Sequence, residues 1–214
     1  MSLREDFNFP VAFYDMDKSG WFDKKNYTDR DSIGDKTYLW MNDIQWLSLE
    51  KIINYEYEDY QSKSIVPFGT TGGDIWGWHL DYKPIMPVVF CTHDDEEGTF
   101  YAKTYEGALF RQILDFASQN NFCTQEGNKW EMSLLIARKH LMNWKNKFEK
   151  WFEKEWINEI DRLIGLELKY YETVSPTVVG GYYVLITPEE CRDLTKKYLD
   201  FELLDRSFIW VNED

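Results

Sequence analysis

Cysteine is scarce. Cys91, Cys123 and Cys191 are the only three, odd in number, far apart and without a C-x-x-C pair. That spacing excludes a disulfide framework, and the expectation is reduced, partly buried thiols in a cytoplasmic protein. Long apolar runs are also missing. No window approaches the roughly 18 consecutive apolar residues that a membrane span requires. Residues 1–10 carry Arg4, Glu5 and Asp6 and no apolar stretch of signal length, so export by a cleaved signal is not expected. Basic residues are the minority, with 24 Lys+Arg against 38 Asp+Glu and a net charge of −14. Such a chain repels phosphate backbones and anionic lipid, which argues against nucleic-acid and membrane partners and for a basic protein.

Aromatic residues, by contrast, are abundant. Ten Trp, 14 Tyr and 14 Phe make up 18% of 214 residues, beside 43% hydrophobic and 29% charged positions overall. A chain of this size and balance folds, burying about 70% of its unfolded surface without staples.

Residues 1–37 are polar and aperiodic, and read as an irregular segment pinned to the body by Phe7, Phe9 and Phe13. Tyr38-Leu39-Trp40 reads as a short strand. Ser48 is a candidate N-cap, with Leu49, Ile52, Ile53, Tyr57 and Tyr60 at helical spacing, so a helix is expected from Leu49 to Tyr60. The period then changes. Ser64 to Phe68, Asp74 to Leu80, Pro87 to His93 and Thr99 to Thr104 read as strands of an antiparallel meander. Gly72-Gly73 and Asp94-Asp95-Glu96-Glu97-Gly98 are the expected hairpin connections. A helix is expected from Tyr105 to Gln119, and the polar stretch 119–128 marks an internal boundary.

Beyond it, Leu134, Ala137, Leu141, Trp144, Phe148 and Phe152 recur at steps of three and four, and Trp156, Ile160 and Leu163 repeat the pattern after a break. Leu166 to Tyr171 and Tyr182 to Ile186 form a small β element. Thr187-Pro188-Glu189-Glu190 is a helix start, with Thr as cap and Pro at the first helical position. Phe208 to Val211 reads as an edge strand. The expected organisation is 1–37 irregular, 38–127 an α+β core, and 128–214 a helical and β extension in the same globular unit.

Several constellations bear on chemistry. Asp15-x-Asp17-x-Ser19-Gly20-x-Phe22-Asp23 matches an EF-hand loop at six positions, but position twelve is Asn26 where a bidentate Glu is needed. A solvated Asp/Gly turn is expected, with weak calcium binding at Asp15, Asp17, Ser19 and Asp23 the minority reading. His79 and His93 stand near Asp74, Asp81, Asp94 and Asp95 without the spacing of any closed metal set, so hydrogen-bonded structural histidines and a solvated charge run are expected. There is no G-x-S-x-G elbow and no P-loop, since Gly69 to Gly73 lacks the Lys and precedes a strand. The reading is therefore non-catalytic, without metal or cofactor.

Trp76, Trp78 and Leu80 share one face of their strand, and Ile75, Gly77 and His79 the other. The two tryptophans read as core by default and as an exposed recognition patch in the alternative. The loops Thr70, Thr71, Gly72, Gly73, Asp74 and Asp94, Asp95, Glu96, Glu97 are the candidate partner-binding surface. A basic strip, Arg138, Lys139, Lys145, Lys147, Lys150 and Lys154 against Glu149 and Glu153, reads as a solvated helix face, with a docking site for an acidic surface as the alternative.

The segment Ile65-Val66-Pro67-Phe68-Gly69, Gly72-Gly73-Asp74-Ile75-Trp76-Gly77-Trp78 and Pro87-Val88-Val89-Phe90, followed by an acidic turn and an aromatic-led helix, resembles the SUKH superfamily. That family includes fungal regulators of cell-wall glucan synthesis and bacterial immunity proteins against polymorphic toxins. The resemblance covers residues 38–119. The family's usual opening helices have no counterpart in 1–36, and 128–214 lie beyond its pattern. It implies an α+β fold, an antiparallel sheet flanked by helices, and a protein-binding role without catalytic residues. The leading expectation is a cytoplasmic immunity protein that neutralises a basic toxin domain. The rivals are a regulatory or scaffold protein linked to cell-wall synthesis, and a carboxylate-dependent hydrolase.

Overall fold

The computed structural model describes residues 7–22, 44–119, 122–123, 132–174 and 179–212. In chain order the elements are α1 (Val11–Lys18), β1 (Gln45–Trp46), α2 (Leu49–Ile53), β2 (Ile65–Thr71), β3 (Asp74–His79), β4 (Val88–Cys91), β5 (Glu97–Ala102) and α3 (Tyr105–Ser118). There follow β6 (Phe122–Cys123), β7 (Met132–Ser133), α4 (Leu134–Phe148), α5 (Lys154–Ile164), β8 (Lys169–Val174), β9 (Val179–Val184), α6 (Pro188–Leu199) and β10 (Ser207–Ile209). The class is α+β. They fall into two compact units: residues 7–22, 44–108 and 201–212 make the first, and 109–200 the second. The sequence reading instead divides the chain at 127–128; the observed division falls inside α3, and β10 returns to the first unit because it pairs with β5.

The first unit is a six-stranded antiparallel sheet in the order β1-β2-β3-β4-β5-β10. Its centre is the expected meander. The β2–β3 hairpin closes with Thr71 opposite Asp74, and Gly72 and Gly73 take φ of +58° and +110°. Two consecutive positive φ values are what a two-residue type I′ connection requires, and glycine meets them without strain. Pro67, which cannot donate to a ladder, stands where β2 has no β1 neighbour, since β1 reaches only Gly69 and Thr70.

Both faces of this sheet are covered. On one, Trp78 meets Phe68 at 4.6 Å between ring centroids, Phe13 at 5.0 Å and Phe7 at 5.1 Å, with Tyr105 at 5.9 Å. On the other, Ile65, Ile75, Val89, Cys91, Phe100 and Trp210 form one cluster under Phe201, Leu203, Phe208 and Val211. The alternation of β3 thus feeds two cores.

Three expectations are corrected here. Residues 11–18 are helical, not irregular: Ala12, Phe13 and Met16 are buried along one side of α1, which supplies the packing that favours a helix. The helix from Leu49 stops at Ile53. Ser48 Oγ caps it by accepting from Lys51 N–H, and Asn54 ends it, its side-chain amide donating back to Glu50 O at 3.0 Å. Tyr57 is spent elsewhere, its hydroxyl donating to Ile65 O at 2.8 Å, and Tyr60 packs on Trp210. Within the stretch expected as a boundary, Phe122–Cys123 form a strand. The strand expected at Tyr38 to Trp40 lies outside the described residues.

The second unit carries a four-stranded sheet, order β7-β6-β9-β8, with β6 and β7 parallel and the other pairs antiparallel. Ser133 Oγ accepts from Ile136 N–H to start α4, and Thr187 Oγ1 accepts from Glu190 N–H to start α6. The apolar stripes of both helices predicted between 134 and 163 are buried: Trp144 stands edge-on to Phe116 at 4.8 Å, and Trp156 stacks on Phe110 at 4.9 Å. Among the described residues no helix is long and apolar enough to cross a membrane.

Candidate partner-binding site

Register brings the predicted loops together. Ile75 lies opposite Cys91, and Cys91 opposite Gly98, so the residues just before β3, just after β4 and at the start of β5 share one end of the sheet. Thr70, Thr71 and Asp74 are half-buried, while Gly72, Gly73, Asp94, Asp95, Glu96 and Glu97 are exposed. Asp74, Asp94, Asp95, Glu96 and Glu97 therefore gather negative charge on one sheet end.

The loop backbone is fixed. Trp210 reaches under it, its indole N–H donating to Asp95 O at 2.8 Å and its backbone N–H to Glu96 O at 3.0 Å. Asp95 turns its carboxylate inward to accept from Glu97 N–H at 3.0 Å. His93 ties this loop to the hairpin. Its backbone N–H donates to Asp74 Oδ1 at 3.0 Å, its Nδ1 lies 2.7 Å from the same oxygen, and its Nε2 lies 3.1 Å from Asp94 Oδ1. The Asp74 hydrogen bond above all, offset in part by burial and helped by the charges of Asp94 and Asp74, raises the pKa of the ring above the ordinary histidine value. The sequence reading prefers a hydrogen-bonded histidine beside a solvated charge run to a metal ligand here, but does not name Asp74 as its partner; the signal for that bridge is the place of His93 just after β4, opposite the hairpin.

Trp76 and Trp78 are 3% and 1% exposed and belong to the core, so they drop out of the candidate surface. His79 is buried against Phe100, Phe208 and Tyr82, and desolvation lowers its pKa, which keeps it neutral. Among the described residues no group of three His, Cys, Asp or Glu side chains is arranged to hold a metal ion.

The EF-hand-like motif is a helix end. Asp15 and Asp17 lie within α1, where side chains two residues apart point about 200° from one another and cannot converge on one ion. Trp21 N–H donates to Met16 O and Gly20 N–H to Asp17 O, with Gly20 at φ +76°, which is a Schellman stop. Asp17 Oδ1 accepts from Leu49 N–H at 3.1 Å, and Ser19 Oγ donates to Met16 O. Asp23 lies outside the described residues. In the second unit, Arg138 donates to Ile164 O, Leu166 O and Glu167, and Lys145 to Asp161, so two charges of the basic strip are engaged by their own unit.

No protein-family model matches the chain, and neither a curated protein nor a solved structure is found to be similar to it.

Proposed function

We propose that the chain is a non-catalytic, cytoplasmic protein-binding protein whose acidic loop end meets a basic surface of a partner, in the manner of an immunity protein that neutralises a toxin domain. The observation that carries this reading is the fixed acidic segment 94–97: its backbone is held by Trp210 at the Asp95 and Glu96 carbonyls, and His93 ties the Asp94 carboxylate to Asp74. A loop already held in one shape loses little freedom when a partner docks. A net charge of −14 adds long-range attraction for a basic partner and raises its association rate. The residues that resemble the SUKH superfamily supply this same hairpin and loop, and the immunity role comes from that resemblance.

The test is co-expression with a toxin domain encoded beside this gene. Protection and a complex that forms more slowly as salt is raised are expected. Changing Asp94, Asp95, Glu96 and Glu97 together to Lys should slow association about tenfold or more at low salt. Neither protection nor a complex with the native chain would overturn the reading and leave a regulatory partner as the alternative.

A further inference from the structure

A single titratable ring joins the two loops of the candidate site. His93 addresses Asp74 Oδ1 through Nδ1 at 2.7 Å and Asp94 Oδ1 through Nε2 at 3.1 Å. The Asp74 contact is a hydrogen bond and the Asp94 contact an ion pair; since ionised carboxylates carry no proton to give, only a ring with a proton on each nitrogen attracts both. A neutral ring has one N–H to give. The shorter contact, reinforced by the His93 backbone N–H on the same Asp74 oxygen, keeps that proton on Nδ1. Nε2 then presents a lone pair to the Asp94 carboxylate, and two acceptors face each other. Asp94, with 87% of its side chain exposed, has open water to turn into.

We propose that His93 is a pH-operated clip that holds the Asp94 carboxylate when protonated and releases it to solvent when neutral. The charged groups acting on the ring are Asp74 from the hairpin and Asp94 from its own loop. Gly73, packed beneath it, brings no charge; a Cβ there would stand 3.1 Å from the ring. Asp95 is turned away to the Glu97 amide. Both facing carboxylates favour the imidazolium, so the clip is fully closed below the ordinary histidine value of about 6.5 and opens as pH rises through the raised value. Opening makes the site more negative by one charge and turns Asp94 outward. The clip follows from loop geometry and does not depend on what partner the loops meet.

Nuclear magnetic resonance tests it on the intact protein. The His93 Cε1–H and the Asp94 carboxyl carbon would be followed from about pH 5 to about pH 9, the range over which histidine titrates. Native His93 is expected to titrate above its ordinary value, and the Asp94 carboxyl signal to show a second step at the His93 midpoint. Asp74→Asn and Asp94→Asn should each lower the His93 midpoint, the Asp74 variant by more because it also removes the hydrogen bond. His93→Gln should abolish the second Asp94 step while thermal unfolding confirms that the variant folds. A His93 midpoint at the ordinary value, or an Asp94 carboxyl that ignores the His93 titration, would overturn the proposal.

Discussion

In the first unit, neighbouring segments meet mainly through rings. Trp78 alone gathers Phe7, Phe9, Phe13, Phe68 and Tyr105, and Phe100 gathers His79, Tyr82 and Phe208. The second unit also has an aromatic core, but its elements are further stitched by ions. Lys145 joins α4 to Asp161 of α5, and Arg162 joins Glu159 of α5 to Glu190 of α6. Lys169 of β8 reaches the same Glu190, and Tyr198 donates to the other oxygen of Glu159, which is 6% exposed. Ring packing has no salt dependence of its own, whereas exposed ion pairs weaken as salt screens them. The two units should therefore answer salt differently.

Three substitutions test that contrast, in falling order of effect. Trp78→Ala empties the centre of the first sheet's aromatic face and should cost about 3–5 kcal/mol in urea unfolding, by the same amount at low and at about 1 M salt. A loss that shrank with salt would break the contrast. Arg162→Met leaves the buried Glu159 carboxylate with Tyr198 alone. Because Arg162 is itself partly exposed, the expected cost is about 1–3 kcal/mol, read from hydrogen exchange of α5 and α6. Lys145→Ala removes two short contacts to Asp161 across an exposed surface, worth about 0.2–1 kcal/mol at low salt and nothing measurable at high salt. A first-unit response to either charge variant would mean that the ions support more than the unit they sit in.

Turns and helix caps, whose physics is local, are legible in the chain. The β2–β3 hairpin follows from two adjacent glycines, and the start of α6 from a Thr-Pro-Glu-Glu cap whose hydroxyl does accept from Glu190. Ser48 also caps as expected, but the helix it begins is cut short because Tyr57 and Tyr60 find better partners in β2 and in Trp210. Helical spacing cannot reveal a competing partner that lies 150 residues away, as Trp210 does from Tyr60. The same distance hid the second covered face of the sheet. β3 alternates plainly, yet nothing near His79 or Ile75 announces that Phe208 and Trp210 will lie over them. The EF-hand-like spacing misled for a related reason: ligand geometry presumes a loop, and α1 continues through Asp15 and Asp17 to Lys18. Of the candidate site, the turns were legible as turns. The His93 bridge was not, because it depends on the register that sets Ile75 opposite Cys91.

The cover formed by Phe201, Leu203, Phe208 and Trp210 has a consequence for how the polypeptide is made. Residues 109–200, which hold all the described residues of the second unit, are synthesised before residue 201 is added. The first unit, in contrast, waits for residues 201–212: until they emerge, Ile65, Ile75, Val89 and Phe100 have no lid on their side of the sheet. The nascent chain therefore holds an apolar sheet face open through the translation of the whole second unit, and a ribosome stalled before residue 201 would present a surface suited to a chaperone.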